Sequence, residues 1–326
     1  MLEKNQGKNK KVSVYCLAYN HEKYIRNTLE GFVNQVTDFE YEVFVHDDAS
    51  TDGTKKIIQE YERNYPEMIR GIYQTKNQYS QGKKIVANFI VPRLNGEYVA
   101  ICEGDDYWCD TCKLQKQVDF LEQNPEYSAC VHNTEVIEMD SGHRRLMNPS
   151  LEAYDLDIRH VLLEGGSDYH TSSVVYRMEY AKIVYSDECP DFFKAAKGFG
   201  DYPLAIYLTL KGKVKYLPDI MSVYRYGTPG SWSAGLKDIE RFKAMRHTAI
   251  AMLKSVDEYT NYELHSHIQS IIEERYWEIL MRSTDLRVLK NREIREVFDK
   301  MSLEQKVKTL IKLLFLNNYR LKRNQL

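Results

Sequence analysis

The chain has 326 residues, more than one typical domain, so a main domain with an appendage is expected. A formal net charge of −2 gives no overall attraction to nucleic acid, which argues against a nucleic-acid-binding protein. No run approaches the roughly 20 apolar residues that a membrane span needs, and the polar residues 1–11 do not resemble a secretion signal. We therefore expect a cytoplasmic protein with reduced thiols.

The first third of the chain alternates short apolar runs with amphipathic segments. Strands are predicted at 12–17, 41–46, 69–73 and 98–102, and helices at 21–35 with Asn20 as N-cap, from 54 to before Pro66, and at 84–94. Alternation with short connections predicts a parallel sheet with right-handed crossovers. Such sheets bind their ligands beyond the carboxyl ends of the strands.

The remainder of the chain divides into a mixed segment and a helical segment. From the sequence we predict a helix from 113, a strand around 129–131, a polar loop at 140–149, a strand at 170–176, a helix from 200 to Gly212 and a short strand at 213–217. After residue 233 the pattern changes to long helices without proline. A domain boundary is therefore predicted at 233–237.

Two acidic turns come directly after predicted strands. Asp47-Asp48 lies at the end of the second strand, and Glu103-Gly104-Asp105-Asp106 lies at the end of the fourth. Clustered carboxylates repel one another unless a cation neutralises them, and hard divalent cations prefer oxygen ligands. The pattern predicts a nucleotide-diphosphate site in which Asp105, paired with Glu103, lies closest to Mn²⁺ or Mg²⁺. A solvated turn that binds nothing is the alternative, and for Asp48 the alternative is a helix cap.

Three ordered segments resemble the family 2 inverting glycosyltransferases of the bacterial capsular and surface-polysaccharide type. They are Val14–Asn20, Val45–Thr54 and Ile101–Trp108, and Lys113–Val118 is similar to the segment that comes after the acidic motif in those enzymes. The resemblance covers about residues 12–232. It implies the GT-A fold, an α/β fold with a Rossmann-like, mostly parallel central sheet flanked by helices and continued here by a C-terminal helical extension.

The same resemblance implies a domain division and a donor site. Residues 1–235 form the GT-A domain, with a nucleotide-sugar half at 1–112 and an acceptor half at 113–235, and residues 236–326 form the helical region. The donor is a nucleotide-diphosphate sugar, with UDP favoured. Its implied contacts are Ala18 and Tyr19 at the base and ribose, Asp48 at the uracil, and Lys83, Lys84, Asp106 and Arg225 near the diphosphate. Glu103 departs from the family pattern, which usually has aspartate there.

The acceptor half is predicted to supply the base that deprotonates the acceptor hydroxyl. Asp201 matches the family's acidic residue at a helix start, although Gly200 replaces the first member of the usual acidic pair. A structural helix cap is the alternative. The segment 224–233 resembles a flexible loop that closes over the donor. The acceptor side and this lid are assigned Trp108, His170 and Trp232.

The C-terminal segment from Leu303 combines an apolar helical face with lysines and arginines. This pattern is typical of a membrane-surface helix, and packing on the main domain or on another subunit is the alternative. The predicted function is a metal-dependent inverting glycosyltransferase acting on a lipid-linked or growing surface glycan, in the cytoplasm or on the inner face of the plasma membrane. A nucleotide-sugar-binding module without transfer and a sugar nucleotidyltransferase are the alternatives.

Overall fold

The computed structural model describes residues 10–164, 168–228 and 238–323. The chain forms two compact units. The first comprises Met1–Cys189 and Leu204–Pro229, and the second comprises Pro190–Pro203 and Gly230–Leu326. The second unit therefore includes a short segment that interrupts the first unit in sequence.

The first unit is built on one sheet. Its strands are β1 (Val12–Ala18), β2 (Tyr41–Asp47), β3 (Ile69–Tyr73), β4 (Tyr98–Ile101), β5 (Tyr107–Trp108), β6 (Tyr127–Glu138), β7 (Arg144–Leu146), β8 (Tyr154–Asp155), β9 (Val175–Arg177) and β10 (Lys213–Tyr226). Their order is β3-β2-β1-β4-β9-β6-β10-β5, with β7 beside β6 and β8 beside β10. Strands β1 to β4 pair in parallel, whereas β9 is antiparallel to both β4 and β6.

Helices cover the sheet because their apolar residues recur on one face. The helices that lie in the first unit are α1 (Ile25–Val33), α2 (Thr54–Asn64), α3 (Lys113–Gln123), α4 (Ile158–Glu164) and α5 (Met178–Val184). Leu29 and Phe32 of α1 are fully buried in the same core as Val14 and Cys16 of β1. The two acidic turns come directly after the carboxyl ends of β2 and β4, the strands that pair with β1 on either side.

The second unit is helical. It contains α6 (Asp191–Ala195), α8 (Ile239–Tyr259), α9 (His265–Arg282), α10 (Arg292–Lys300) and α11 (Leu303–Arg323), and helix α7 (Asp201–Lys211) has residues in both units. Phe192 of α6 lies against Tyr259 of α8, with ring centroids 5.2 Å apart. In the described part of the chain, no helix has the length and apolarity needed to cross a bilayer.

The predicted alternation of the first third is confirmed, with corrections at two places. The predicted helix 84–94 is a π-helical turn at Val86–Ile90 followed by a 3-10 turn at Val91–Arg93. Pro92 cannot donate a helical hydrogen bond, which explains why no regular helix forms there. Asn20 does not cap α1, which begins at Ile25; Asn20 adopts a positive φ of 57°, and its Oδ1 accepts a hydrogen bond from the Thr51 N–H.

Further along the chain, three predicted elements differ from the structure. The predicted strand 170–176 is a 3-10 turn at Thr171–Ser173 followed by β9, and the predicted loop 140–149 contains β7. The predicted short strand 213–217 is the beginning of the 14-residue β10. Its register against β6 shifts between Leu217 and Ile220, at Pro218-Asp219, where the sequence pattern suggested an end.

Candidate active site

Strand β1 joins the two acidic turns. The Asp48 N–H donates to the Ala18 carbonyl at 3.0 Å, and the Gly104 N–H donates to the Leu17 carbonyl at 2.9 Å. Both turns therefore hydrogen-bond to the last two residues of the same central strand. The carboxyl ends of parallel strands meet at one edge of a sheet, which is where such sheets bind ligands.

Asp48 is a buried carboxylate that holds the loop after β3. Its Oδ1 accepts the Gln78 N–H at 2.7 Å, and its Oδ2 accepts the Tyr79 N–H at 3.0 Å. The Asn77 side chain donates to the Asp48 carbonyl at 3.2 Å. This geometry differs from the helix cap considered above, since Asp48 bonds to the loop after β3 and not to the N-terminus of α2.

Three other donor-side candidates have exposed side chains. Tyr19 is 45% exposed directly after the buried Ala18, so its ring is accessible to a ligand. Lys83 and Lys84 are exposed at the end of the loop, and the Lys83 N–H donates to the Gln78 carbonyl at 3.1 Å. Asp48 thus links this loop to the end of β1, because its carboxylate bonds to the loop and its N–H bonds to the carbonyl of Ala18, the residue before Tyr19.

The turn 103–106 is fixed through its backbone. The Thr28 hydroxyl of α1 donates to the carbonyls of Gly104 and Asp106, at 3.1 and 2.5 Å. A Cβ at Gly104 would lie 2.8 Å from His21 Nδ1 and 3.1 Å from the Ala18 Cβ, so this position requires glycine. The backbone of the turn therefore lies directly against Leu17 and Ala18 at the end of β1.

Asp106 lies inside the protein and His170 lies beside it. The Asp106 Oδ1 accepts the Arg225 N–H at 2.9 Å, and its Oδ2 is 3.6 Å from His170 Nε2. Burial raises the pKa of the Asp106 carboxyl well above its usual range, and the charges of Asp105 and Glu103 raise it further. Burial lowers the pKa of His170 to about 4, against the opposing effect of Asp105, so the imidazole is neutral at pH 7.

Two residues near the end of β10 contact Asp105. The Arg225 Nη1 donates to the Asp105 carbonyl at 2.6 Å, and Nη2 donates to Asn27 Oδ1 at 3.0 Å. The Arg225 guanidinium lies 4.6 Å from the ring centroid of Tyr107. The Thr228 hydroxyl donates to the Asp105 Oδ2 at 2.7 Å. The sequence places Thr228 only within the predicted loop 224–233 and gives no signal for Asn27, because no local motif links either residue to the acidic turn.

Trp108 is buried, and its surroundings are those of a core residue. Its indole N–H donates to the Ser172 carbonyl at 2.8 Å, and its ring packs against Phe32 with centroids 4.8 Å apart. Its one hydrogen-bond donor is thus already used and its ring is 3% exposed, so Trp108 offers an acceptor glycan neither a free donor nor an accessible ring face. The ring instead fixes the strand that comes after the acidic turn. His170 stacks on Tyr224 with ring centroids 4.0 Å apart and is likewise largely enclosed.

Asp201 and Trp232 are the two remaining candidates. Asp201 is the first residue of α7, is exposed, and accepts the Tyr202 N–H at its own Oδ1 at 2.8 Å. It belongs to the second unit. Trp232 and the predicted boundary at 233–237 lie outside the described residues. Residues 224–226, predicted to belong to a flexible loop, form the end of β10 because they pair with β6.

The acidic turn suits a metal that is completed by its substrate. Within the described residues, no three His, Cys, Asp or Glu side chains come together as a ready-made metal site. Mg²⁺ and similar hard cations are commonly bound by one or two carboxylates, with substrate phosphates and water filling the other positions. Asp105 and Glu103 are both half-buried, and their charges raise the pKa of Asp106. The residues present therefore fit a divalent cation bound together with a diphosphate.

The chain is similar to several known proteins. An uncharacterized protein of Mycobacterium tuberculosis, Rv1520, is 36% identical over 248 residues, which are 75% of this chain and 67% of that protein. The UDP-Glc:α-D-GlcNAc-diphosphoundecaprenol β-1,3-glucosyltransferase WfaP of Escherichia coli is 33% identical over 111 residues, 34% of this chain and 41% of WfaP. The Pyrobaculum calidifontis mannosyltransferase PcManGT, solved with GDP-Man and Mn²⁺, aligns with a TM-score of 0.52 and 16% identity, covering 98% of this chain and 83% of its own.

The fold and the acidic strand ends define a glycosyltransferase of the GT-A fold. The family model described as glycosyl transferase family 2 matches residues 13–184, more than half of the chain. The chain belongs to glycosyl transferase family 2. The fold and enzyme class expected from the sequence are thereby confirmed.

Proposed function

We propose that this enzyme moves a sugar, with inversion, from a UDP-sugar to a hydroxyl group of a lipid-linked or growing surface glycan. The observation that carries the proposal is the convergence of Asp48 and the turn 103–106 on the last residues of β1. The name of WfaP, which is similar to about a third of this chain, supports a UDP-linked donor and a lipid-diphosphate acceptor.

In this proposal the donor lies along the carboxyl edge of β1, β2 and β4. Asp48 accepts the imide N–H of uracil, and the exposed ring of Tyr19 stacks on the base. The bonds from the Gln78 and Tyr79 N–H groups fix the orientation of the Asp48 carboxylate, and its oxygens keep further lone pairs for a ligand. Lys83 and Lys84 contribute positive charge near the diphosphate.

Asp105 and Glu103 would hold the divalent cation in this proposal. When bound, Mn²⁺ or Mg²⁺ offsets the negative charge of the departing diphosphate as a Lewis acid. Complexation of PcManGT with Mn²⁺ supports metal use on this fold. Asp106 is buried, and its bond from the Arg225 N–H anchors the turn to β10.

The first test is a titration of UDP and GDP, each with and without Mn²⁺. We expect Mn²⁺ to tighten UDP binding at least about tenfold, because a bound cation would offset the repulsion between the diphosphate and the carboxylates of Asp105 and Glu103. GDP should bind more weakly, because guanine does not present the imide group of uracil to Asp48 in the same geometry. UDP binding that is insensitive to Mn²⁺ would refute the metal site, and a preference for GDP would refute the UDP assignment.

Asp201 is proposed as the base that accepts the proton of the acceptor hydroxyl. Asp201→Asn removes that base and is expected to slow transfer by roughly 10²- to 10⁴-fold, with UDP affinity nearly unchanged. Asp191→Asn, at another exposed aspartate of a helix start in the same unit, is the matched control. An Asp201→Asn enzyme with wild-type turnover would remove Asp201 from this role.

Sugar transfer distinguishes this function from that of a nucleotide-sugar-binding module. A nucleotide-sugar-binding module would bind UDP with Mn²⁺ but would not release UDP from a UDP-sugar in the presence of a lipid-diphosphate glycan.

We further propose that the enzyme works at the cytoplasmic face of the plasma membrane, with α11 contacting the lipid surface. We also propose that the GT-A domain ends at residue 235 and that the enzyme forms a homo-oligomer.

A further inference from the structure

The chain immediately after β10 returns to the acidic turn. Strand β10 ends at Tyr226, and Gly227 then takes a φ of +83°, a conformation that residues other than glycine rarely adopt. This brings Thr228, which is 1% exposed, to the Asp105 side chain. The glycine is required for its backbone, since a Cβ there would meet no atom within 4 Å.

The backbone of the turn is already held from two sides. The Thr28 hydroxyl bonds to the carbonyls of Gly104 and Asp106, and the Arg225 guanidinium bonds to the carbonyl of Asp105. These contacts hold the main chain of the turn. The Asp105 carboxylate has a separate hydrogen-bond partner.

Thr228 provides that contact through one oxygen of the carboxylate. Its hydroxyl donates to Oδ2 at 2.7 Å, a normal distance for an O–H···O hydrogen bond. Within the described part of the chain, Oδ1 has no hydrogen-bond donor. One carboxylate oxygen is thus bonded to Thr228, and the other keeps its lone pairs unused among the described residues.

We propose that Thr228 is a positioning residue that orients the Asp105 carboxylate for the divalent cation. The inference rests on the metal site proposed above and adds a residue from a distant segment to it. Groups that hydrogen-bond to metal ligands fix the geometry of the ligand and raise metal affinity. Thr228 therefore acts on the cation through Asp105 and does not touch the nucleotide in this proposal.

The test compares Thr228→Val, which keeps the shape of the side chain but removes the hydroxyl, with Thr228→Ser, which keeps the hydroxyl. Calorimetry and electron paramagnetic resonance measure Mn²⁺ affinity in the presence of UDP. Thr228→Val is expected to lower that affinity by about 10- to 100-fold, and Thr228→Ser to retain it. UDP affinity without metal should stay the same in both variants, because their Asp48 contacts are unchanged.

The matched control is Thr209→Val, which removes a threonine hydroxyl that bonds to the Ala205 carbonyl within α7. It should leave both affinities at the wild-type value. If Thr228→Val does not fold, Thr228→Ala against Thr228→Ser carries the same comparison.

Three results would overturn the inference. A metal effect in wild type that persists undiminished in Thr228→Val refutes the positioning role alone. Equal losses of UDP affinity with and without Mn²⁺ show a general structural role instead. A wild-type enzyme whose UDP binding ignores Mn²⁺ refutes the proposed metal site and this inference together.

Discussion

Lys113 is a charged residue that the fold encloses completely. Its Nζ donates to Gln117 Oε1 at 2.8 Å and lies 4.2 Å from the centroid of the Trp108 ring. Burial lowers the pKa of this ammonium from 10.5 to about 7. The sequence identified Lys113 as part of a family-like segment, but a lysine at a helix start is normally exposed. Its burial depends on Trp108 and Gln117 closing over it.

The lowered pKa predicts how stability depends on pH. Between pH about 7 and 10.5 the unfolded chain keeps the Lys113 proton while the folded protein has lost it. The free energy of unfolding should therefore rise with pH in this range, by up to about 1.4 kcal/mol per unit. Lys113→Met removes this term, so the stability of wild type relative to the variant should increase between pH about 6.5 and about 8.5.

Denaturant unfolding of both proteins at the two pH values measures this difference, and the contributions of other titrating groups cancel. Lys116→Met is the matched control, because Lys116 is an exposed lysine of the same helix whose pKa is raised by its bonds to Asp219 and Asp110. A stability difference between wild type and Lys113→Met that does not change with pH would contradict the prediction.

Among the secondary-structure elements, β10 and α11 differ from what the apolar pattern of the sequence predicts. Pro218 breaks the apolar pattern after the first residues of β10, yet pairing with β6 resumes beyond a bulge and continues to Tyr226. In α11, Leu313 is fully buried, whereas Leu303, Val307 and Ile311 are 78%, 47% and 49% exposed. The helix thus packs by one face and presents an apolar stripe on another.

We expect this stripe to bind an anionic lipid surface. Residues 303–323 contain six lysines and arginines and one glutamate, which complements negative headgroups. The double variant Val307→Ser/Ile311→Ser should lower partitioning onto vesicles of phosphatidylglycerol and phosphatidylcholine by roughly tenfold or more, because two apolar side chains no longer enter the interface. Sedimentation with vesicles measures the partitioning.

Val36→Ser is the matched control for this experiment, since Val36 is an apolar residue 64% exposed in the first unit. Vesicle binding that the double variant leaves unchanged would contradict the prediction. A dimer in wild type that dissociates in the double variant would identify a second copy of the chain as the occupant of the stripe.

At the scale of the whole molecule, chain order and spatial units do not coincide. Residues Pro190–Pro203 join the C-terminal helices, through contacts such as Phe192 with Tyr259, although they lie between two segments of the first unit. The change in composition near residue 233 predicts where the long helices begin. It cannot predict that the short segment Pro190–Pro203 packs with those helices. The division at 235 therefore remains a prediction about domains, distinct from the compact units.

Local sequence patterns were enough to predict the family, the strand–helix alternation of the first third and both acidic turns. These depend on local periodicity and on motifs whose residues are close together in sequence, such as Asp47-Asp48 and 103–106. Tertiary structure alone decided that Lys113 and Trp108 are core residues and that 224–226 form a strand. It also decided the partners of Asp105, since Arg225 and Thr228 lie 120 and 123 residues away along the chain. The reason is physical: a side-chain contact between distant segments depends on the packing of the whole sheet, which no local pattern records.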